Sequence, residues 1–193
     1  MTEYINFVNG IWQPASISTV SLYDAGFLLG DGLFETIRFQ NGRLFQPEKH
    51  LKRLHSGLNI IQIKLDKSNT ELISCLEEMV LRNDVRSGLL RLMITRGKIE
   101  GTPWNFTGIP NVYISIRPLT EEPKEPVKVV FYPEGKYPII RFNPAIKSLN
   151  YIGNMLAKKN AEKEGAFEPV FFNRDGNVTE CAIRNIFFIQ DKT

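Results

Sequence analysis

The sequence predicts a mixed α/β (α+β) protein with two lobes, and three observations support this prediction. Asn-Gly pairs at 9–10 and 41–42 lie between apolar, branched segments, which is typical of β-hairpins. Apolar residues at helical spacing follow, so that strands and helices mix along the chain. The stretch PLTEEPKEPV (118–127) carries three prolines among charged residues, as an exposed connector would.

The predicted division of the chain follows from that connector. We expect an N-terminal α/β lobe over residues 1–117, an interdomain linker over 118–124 and a C-terminal lobe over 125–193. The second lobe has fewer elements than its apolar strands need, so we expect it to be incomplete in this sequence.

Composition excludes several classes of protein. At 193 residues, with 42% hydrophobic and 23% charged residues, the chain can bury a core without disulfides or metals. A net charge of +3 is no argument for nucleic-acid binding, which requires a clustered basic face. No stretch has the apolar length of a membrane span, the N-terminus MTEYINFVNG lacks signal-peptide features, and the two cysteines form no metal-type pair. We therefore expect a soluble, cytoplasmic protein.

The first lobe begins with strands and turns. YINFVNGIW predicts the first hairpin, and LFETIRFQNGRLF the second. In the strand LFETIRF, alternation places Phe34 and Arg38 on one face and Glu35 with its apolar neighbours on the other. The glycine-rich GDG before it precedes a strand and not a helix, so it does not fit a dinucleotide or phosphate loop.

Two helices and two strands complete the first lobe. Pro47 stands at a favourable first position of a helix whose apolar stripe is Leu51, Leu54 and Leu58. SNTE (68–71) predicts a capping box for the second helix. GLLRLMITRG and NVYISIRPL are rich in branched residues and predict strands.

The second lobe is predicted from shorter patterns. VKVVFYP indicates a strand, residues 150–164 a helix, and EPVFFN a further strand. A turn at RDGN follows, and NIFFIQD (185–191) predicts a last strand.

Three side chains are candidates for chemistry, each with a plain structural alternative. Lys147 stands in NPAIKSLNY without an acidic neighbour; it is either an ordinary loop lysine or an amine whose pKa burial would lower, as a Schiff-base lysine requires. Arg53 shares a helix face with His50, so it is either solvated or able to bind a phosphate. Glu180 is either a turn acid or a partly buried carboxylate that needs a cation. No metal-ligand spacing and no Ser/His/Asp or Cys/His pattern stands out.

Six segments in order resemble the fold-type IV pyridoxal-phosphate enzymes, the class IV aminotransferase family. They are FVNGIW, DAGFLLGDGLFETIRFQNGRLF, HLKRL, LRLMITRG, IKSLNYIGNMLAKKNAEKEG and GNVTECAIRNIFFI. That family includes branched-chain and D-amino-acid aminotransferases and 4-amino-4-deoxychorismate lyases. The resemblance implies two lobes with pyridoxal 5′-phosphate in the cleft between them.

The resemblance also implies the role of each site residue. Lys147 would form the aldimine with the cofactor and move the proton at the substrate Cα, while Arg53 would hold the phosphate. Glu180 would pair with the pyridine nitrogen, and Tyr151 would bond to the phenolic oxygen of the cofactor. The substrate side would be lined by Phe34, Arg38 and Arg96.

Departures from the family pattern leave several functions open. Phe34 stands where D-amino-acid aminotransferases carry tyrosine, and GKIEGTPWNF lacks their Arg-x-His motif, which argues against D-amino-acid specificity. We expect transamination of an amino acid or related amine; the alternative chemistry is loss of pyruvate from aminodeoxychorismate to give 4-aminobenzoate. A non-catalytic binding module is the alternative from another class. Because family members are homodimers, we also expect a homodimer.

Overall fold

The computed structural model describes residues 3–106, 108–119 and 121–191. The chain divides into two compact units, each with dense internal contacts. The first comprises Met1–Thr120 with Phe142–Leu149, and the second comprises Glu121–Arg141 with Asn150–Thr193. Residues 142–149 therefore belong by contacts to the first unit, although the sequence assigned them to the second lobe. Thr120, inside the predicted linker, lies outside the described residues, and the lobe boundaries stay a prediction.

An antiparallel six-stranded sheet with helices forms the first unit. Its elements in chain order are β1 (Ile5–Val8), β2 (Ile11–Pro14), α1 (Ala25–Leu29), β3 (Gly32–Gln40), β4 (Arg43–Leu44), α2 (Pro47–Ile60), α3 (Asn69–Asn83), β5 (Ser87–Thr95) and β6 (Asn111–Arg117). The strand order is β2-β1-β6-β5-β3-β4. Strand β3 thus lies between β5 and β4, with every pairing antiparallel.

Both hairpins predicted from Asn-Gly pairs are confirmed. Asn9 and Gly10 have φ values of 50° and 94°, and Asn41 and Gly42 have 51° and 76°. Two consecutive residues with positive φ define the type I′ turn, whose twist suits antiparallel strands.

The helix signals are confirmed as well. Helix α2 begins at Pro47 and buries Leu51, Leu54 and Leu58. At the start of α3, Ser68 accepts a hydrogen bond from the Glu71 amide, and the Glu71 carboxylate accepts one from the Ser68 amide. These caps are local, and so they could be predicted from local sequence.

The core of the first unit lies on one face of the sheet. Helices α2 and α3 contribute their buried leucines to a cluster with Leu33, Ile37 and Phe39 of β3. Gly57 lets α2 approach closely, since a Cβ at that position would lie 2.6 Å from Leu33 Cδ1 and 3.5 Å from Ile146 Cγ2. The strand alternation therefore leaves Phe34 and Arg38 on the opposite face.

The short helix α1 depends on a buried carboxylate that local patterns did not indicate. Asp24 is fully buried and accepts hydrogen bonds from the amides of Gly26 and Phe27. It also accepts bonds from the hydroxyls of Thr95 and Tyr113. Burial and the nearby Asp24 charge raise the pKa of the Tyr113 phenol. These long-range bonds attach α1 to the sheet.

The second unit is a three-stranded sheet with one helix. It contains β7 (Val129–Pro133), α4 (Ile152–Lys163), β8 (Glu168–Phe172) and β9 (Val178–Cys181). Strand β8 lies in the middle, parallel to β7 and antiparallel to β9. Ala157 and Ala161 of α4 pack in its core with Phe171.

The prediction of a last strand over residues 185–191 is wrong. The closing strand is β9, and residues 185–190 adopt no regular structure, with Phe187 and Phe188 exposed. An apolar run becomes a strand only where another strand accepts its hydrogen bonds. Among the described residues, neither sheet includes this segment as a strand.

Among the described residues, no helix has the length and apolar character needed to cross a bilayer.

Candidate active site

Lys147 is held by its main chain at the start of β3. The Phe34 amide donates to the Lys147 carbonyl at 3.0 Å, and the Leu149 amide donates to the Gly32 carbonyl at 3.0 Å. Ser148 forms a bridge with Leu33 between these two bonds. The backbone of this lysine is therefore paired to a central element of the first unit and does not lie in an unattached loop.

Two cationic groups lie close to the ring of Phe34. The Lys147 ammonium is 4.6 Å from the ring centroid, and the Arg91 guanidinium carbon is 3.8 Å from it. Phe34 itself is buried, with 3% of its surface exposed. Cations over an aromatic face are attracted by its quadrupole, so the ring helps to place both groups.

Arg53 and His50 both contact Glu35. The Arg53 Nε donates to Glu35 Oε1 at 2.7 Å, and its Nη2 donates to Oε2 at 2.5 Å. The His50 Nδ1 lies 2.8 Å from Oε2. Because an ionised carboxylate only accepts, this nitrogen carries the hydrogen. The Arg53 side chain is 51% exposed, whereas that of Glu35 is 1% exposed.

Glu35 was not among the predicted site residues, although its position in the sequence of the strand is unusual. Glu35 is the only charged residue on the buried face of β3, where Leu33, Ile37 and Phe39 are its neighbours. A charged side chain seldom occupies such a position unless it is paired. Arg91 gave no comparable signal, because the Phe34 ring that it contacts lies far away in the sequence. The same holds for the contact of Arg141 with Glu180, which lies 39 residues away.

Glu180 lies within strand β9 and not in the turn that precedes it. It pairs across the sheet with Phe171. Its carboxylate accepts a hydrogen bond from Arg141, which also contacts Glu134 at 2.7 Å. The Glu180 side chain is 44% exposed. The carboxylate therefore has the cationic partner that the sequence reasoning required, and it remains accessible.

The remaining predicted site residues, Tyr151, Arg38 and Arg96, lie in three different environments. Tyr151 directly precedes α4 and is partly buried. Arg38 is exposed on the same face of β3 as Phe34 and lies 3.4 Å from Gln40 Oε1. Arg96 is bound to the Asp31 carboxylate and to the carbonyls of Ile61 and Gln62 after α2. These hydrogen bonds connect the end of β5 to the end of α2, so Arg96 has a structural role.

The first unit brings two of the candidate groups onto neighbouring segments. Gly57, one turn after Arg53, packs against Ile146, the residue before Lys147. The helix that carries the guanidinium and the segment that carries the amine both pack against the start of β3. The Lys147 ammonium contacts the Phe34 face of β3, whereas the Arg53 guanidinium contacts Glu35 on the other face. An amine is the group that reacts with an aldehyde, and a guanidinium is a group that binds a phosphate.

Residues 32–193 match the family described as amino-transferase class IV. The chain belongs to the class IV aminotransferase family. It is 35% identical over 183 residues to a D-alanine aminotransferase of Bacillus licheniformis, covering 93% of this chain and 63% of that protein. It is 31% identical over 190 residues to an aminodeoxychorismate lyase of Bacillus subtilis, covering 94% and 63%. The chain thus spans less than two thirds of the length of these relatives.

Solved structures of class IV aminotransferases share the fold. The branched-chain amino acid aminotransferase of Escherichia coli matches with a TM-score of 0.86 and 20% identity, over 98% of this chain and 66% of that chain. A hypothetical aminotransferase from Mycobacterium tuberculosis, solved in its form with bound pyridoxal 5′-phosphate, matches with a TM-score of 0.75 and 21% identity, over 92% and 65%. These likenesses confirm the predicted fold-type IV class.

The Glu35 cluster leads to a prediction about stability and pH. Burial by itself raises the pKa of Glu35, but hydrogen bonds and charge from Arg53 and His50 outweigh it and lower the pKa below 4.5. The stabilisation is therefore fully present above pH 4.5 and is lost as the pH falls through the lower pKa of the folded state. We expect Glu35→Gln to reduce the free energy of unfolding by about 1.5–3 kcal/mol at pH 7.

The measurement is urea unfolding of both proteins between pH 7 and about pH 3.5. The difference between wild type and Glu35→Gln should stay constant down to pH 4.5 and shrink below it. The exposed Glu77 serves as the control, and Glu77→Gln should change stability little at any of these pH values. A constant difference across the whole range would contradict the assignment of an ionised, paired Glu35.

Proposed function

We propose that this chain is part of a pyridoxal 5′-phosphate enzyme that transaminates an amino acid or a related amine. The observation that carries the proposal is Lys147, an amine fixed by main-chain pairing to β3 in a chain of the class IV family. The pyridoxal 5′-phosphate bound to the Mycobacterium tuberculosis aminotransferase supports the choice of cofactor.

The donor set fits this cofactor. A primary amine suits its aldehyde, the half-exposed Arg53 guanidinium suits its phosphate, and the accessible Glu180 carboxylate suits a protonated ring nitrogen. We assign Tyr151 to the phenolic oxygen. When bound, the cofactor supplies an electron sink for the bond broken at the substrate Cα.

The remaining steps belong to the side chains of the chain itself. The Lys147 amine would hold the cofactor through its aldehyde and would move the proton at the substrate Cα through Nζ. Arg53 would hold the phosphate with paired hydrogen bonds. Glu180 would favour the protonated form of the ring nitrogen, as a carboxylate does for a nearby cation.

We assign the substrate side to the open face of β3, which is the face opposite the core and carries Phe34 and Arg38. Phe34 offers an apolar wall beside the Lys147 amine, and Arg38 offers a positive charge for a carboxylate. For Arg96 we propose a structural role at the end of β5 and not contact with substrate, since its guanidinium binds Asp31 and two carbonyls that follow α2.

Two further assignments complete the proposal. The unpaired thiols of Cys75 and Cys181 suit a reducing cytoplasm, which we propose as the location.

An apolar surface around α1 suits a homodimer: Leu22, Tyr23, Phe27, Leu28 and Leu29 are each at least half exposed. Beside them lies an open groove of about 670 Å³. An exposed apolar patch of this kind is typical of a protein interface.

Lys147→Ala tests the cofactor assignment. The full-length wild-type protein, mixed with pyridoxal 5′-phosphate, should turn yellow, and borohydride should fix the cofactor to the peptide that contains residue 147. Lys147→Ala should lose this covalent product and keep the fold, as judged by circular dichroism. Lys159→Ala, on the exposed side of α4, is the matched control and should behave as wild type.

Labelling of another lysine in the wild type would contradict the assignment. A colourless protein that gives no labelled peptide would support the non-catalytic binding module instead.

The reaction itself is tested by a choice of substrates. Branched-chain L-amino acids with 2-oxoglutarate should give transamination, while D-alanine should give little product because Phe34 replaces the tyrosine typical of D-amino-acid aminotransferases. The Bacillus subtilis relative favours a second candidate, aminodeoxychorismate lyase. Release of pyruvate and 4-aminobenzoate from aminodeoxychorismate, with no amino transfer from either amino acid, would establish the lyase.

Leu28→Glu tests the dimer. A charge in the apolar patch should shift the protein from dimer to monomer in sedimentation at micromolar concentration, because the charge would be buried without a partner. Leu81→Glu is the control, since Leu81 is 74% exposed on α3, outside the patch. A wild-type monomer, or a dimer that Leu28→Glu leaves intact, would contradict the proposal.

A further inference from the structure

We infer that Glu35 is a positioning residue that fixes the Arg53 guanidinium in the orientation in which it binds a phosphate group. The inference rests on the proposed function, in which Arg53 holds the phosphate of the cofactor. It adds a residue on the buried face of β3 to a site otherwise assigned from the resemblance to the family.

The burial of Glu35 is the first observation. Its carboxylate lies on a face where the other side chains are apolar and packed against α2. Transfer of a charge from water to such a position is costly, and a hydrophobic residue of similar volume serves packing equally well or better. Packing alone therefore does not explain why a carboxylate occupies this position, and the charge itself must have a function.

The geometry of the pair is the second observation. Glu35 binds Nε and Nη2, two nitrogens on one side of the guanidinium, at 2.7 and 2.5 Å. Two bonds of this fork type fix both the direction and the plane of the group. Without them, a half-exposed arginine samples many rotamers and must be ordered when an anion binds.

The third observation is the position of the pair relative to solvent. The carboxylate is 1% exposed and holds the arginine from inside, whereas the arginine side chain is 51% exposed. His50, one turn earlier on α2, contacts the same carboxylate through Nδ1 and restrains its rotation. The arrangement presents an oriented cation at the surface, next to the segment that carries Lys147.

A structural ion pair between α2 and β3 is the competing explanation. It predicts lower stability for Glu35 variants and no change in the preference for a phosphate. Glu35 could also act by cancelling the arginine charge, in which case its removal would strengthen phosphate binding. The three explanations differ in one measurable quantity, the contribution of the phosphate group to cofactor binding.

The experiment compares dissociation constants of pyridoxal and pyridoxal 5′-phosphate for the full-length protein, measured by absorbance titration. In wild type the phosphate should strengthen binding, and Arg53→Gln should remove most of that advantage. Glu35→Gln should reduce it by about tenfold, as expected for lost charge-assisted bonds. The double variant should resemble Arg53→Gln alone, because residues that act as a unit are not additive.

Two further variants distinguish a specific loss of phosphate binding from a general loss of stability. Glu71→Ala removes the side-chain acceptor of the α3 capping box and should lower thermal stability while leaving the phosphate advantage unchanged. Glu35→Asp keeps the charge but withdraws the carboxylate by one methylene, and it should also reduce the advantage. It replaces Glu35→Gln if the latter does not fold.

The outcomes separate this inference from the proposed function. If Arg53→Gln loses the phosphate advantage and the Glu35 variants keep or increase it, the inference is overturned and the proposed function stands. If wild type binds both compounds equally, or Arg53→Gln changes nothing, then the phosphate role of Arg53 and the inference both fail.

Discussion

The alternation of side chains along β3 is the constraint on which the rest of the first unit depends. Successive residues of a strand point to opposite faces, so Phe34 and Glu35 cannot share a side. Phe34 contacts the Lys147 ammonium on the open face, and Glu35 binds the arginine of α2 on the buried face. The start of the same strand pairs with residues 147–149. One strand thus organises an amine, an aromatic wall and a guanidinium.

Three carboxylate–arginine pairs differ in what they leave exposed. Arg96 is 18% exposed and bonded to a carboxylate and two carbonyls, so its role is to join elements. Arg141 binds Glu134 and Glu180 and leaves Glu180 accessible. Arg53 is the most exposed of the three arginines and is bound by its carboxylate from inside. Exposure, and not the presence of an ion pair, therefore separates structural arginines from those suited to a ligand.

Relatives with different reaction names match this chain at similar identity. A D-alanine aminotransferase and an aminodeoxychorismate lyase differ by only a few per cent in their identity to this chain, at 35% and 31%. The segments that resemble the family surround the proposed cofactor residues Lys147, Arg53 and Glu180. Reactions that share a cofactor and begin at the same carbon require the same cofactor-binding groups, and so the proposed substrate-facing residues, Phe34 and Arg38, are where a choice among the reactions is expected.

The sequence by itself determined the hairpins at 9–10 and 41–42, the start of α2 at Pro47 and the capping box at Ser68, because each depends on residues within one or two turns. Six segments in order also sufficed for the family. Only the tertiary structure decided that residues 147–149 pair with β3, that Arg96 binds Asp31 and the end of α2, and that Glu180 lies within β9 beside Arg141. Those partners are separated by tens of residues, and hydrogen bonds over such separations are selected by the packing of the whole unit and not by local propensity.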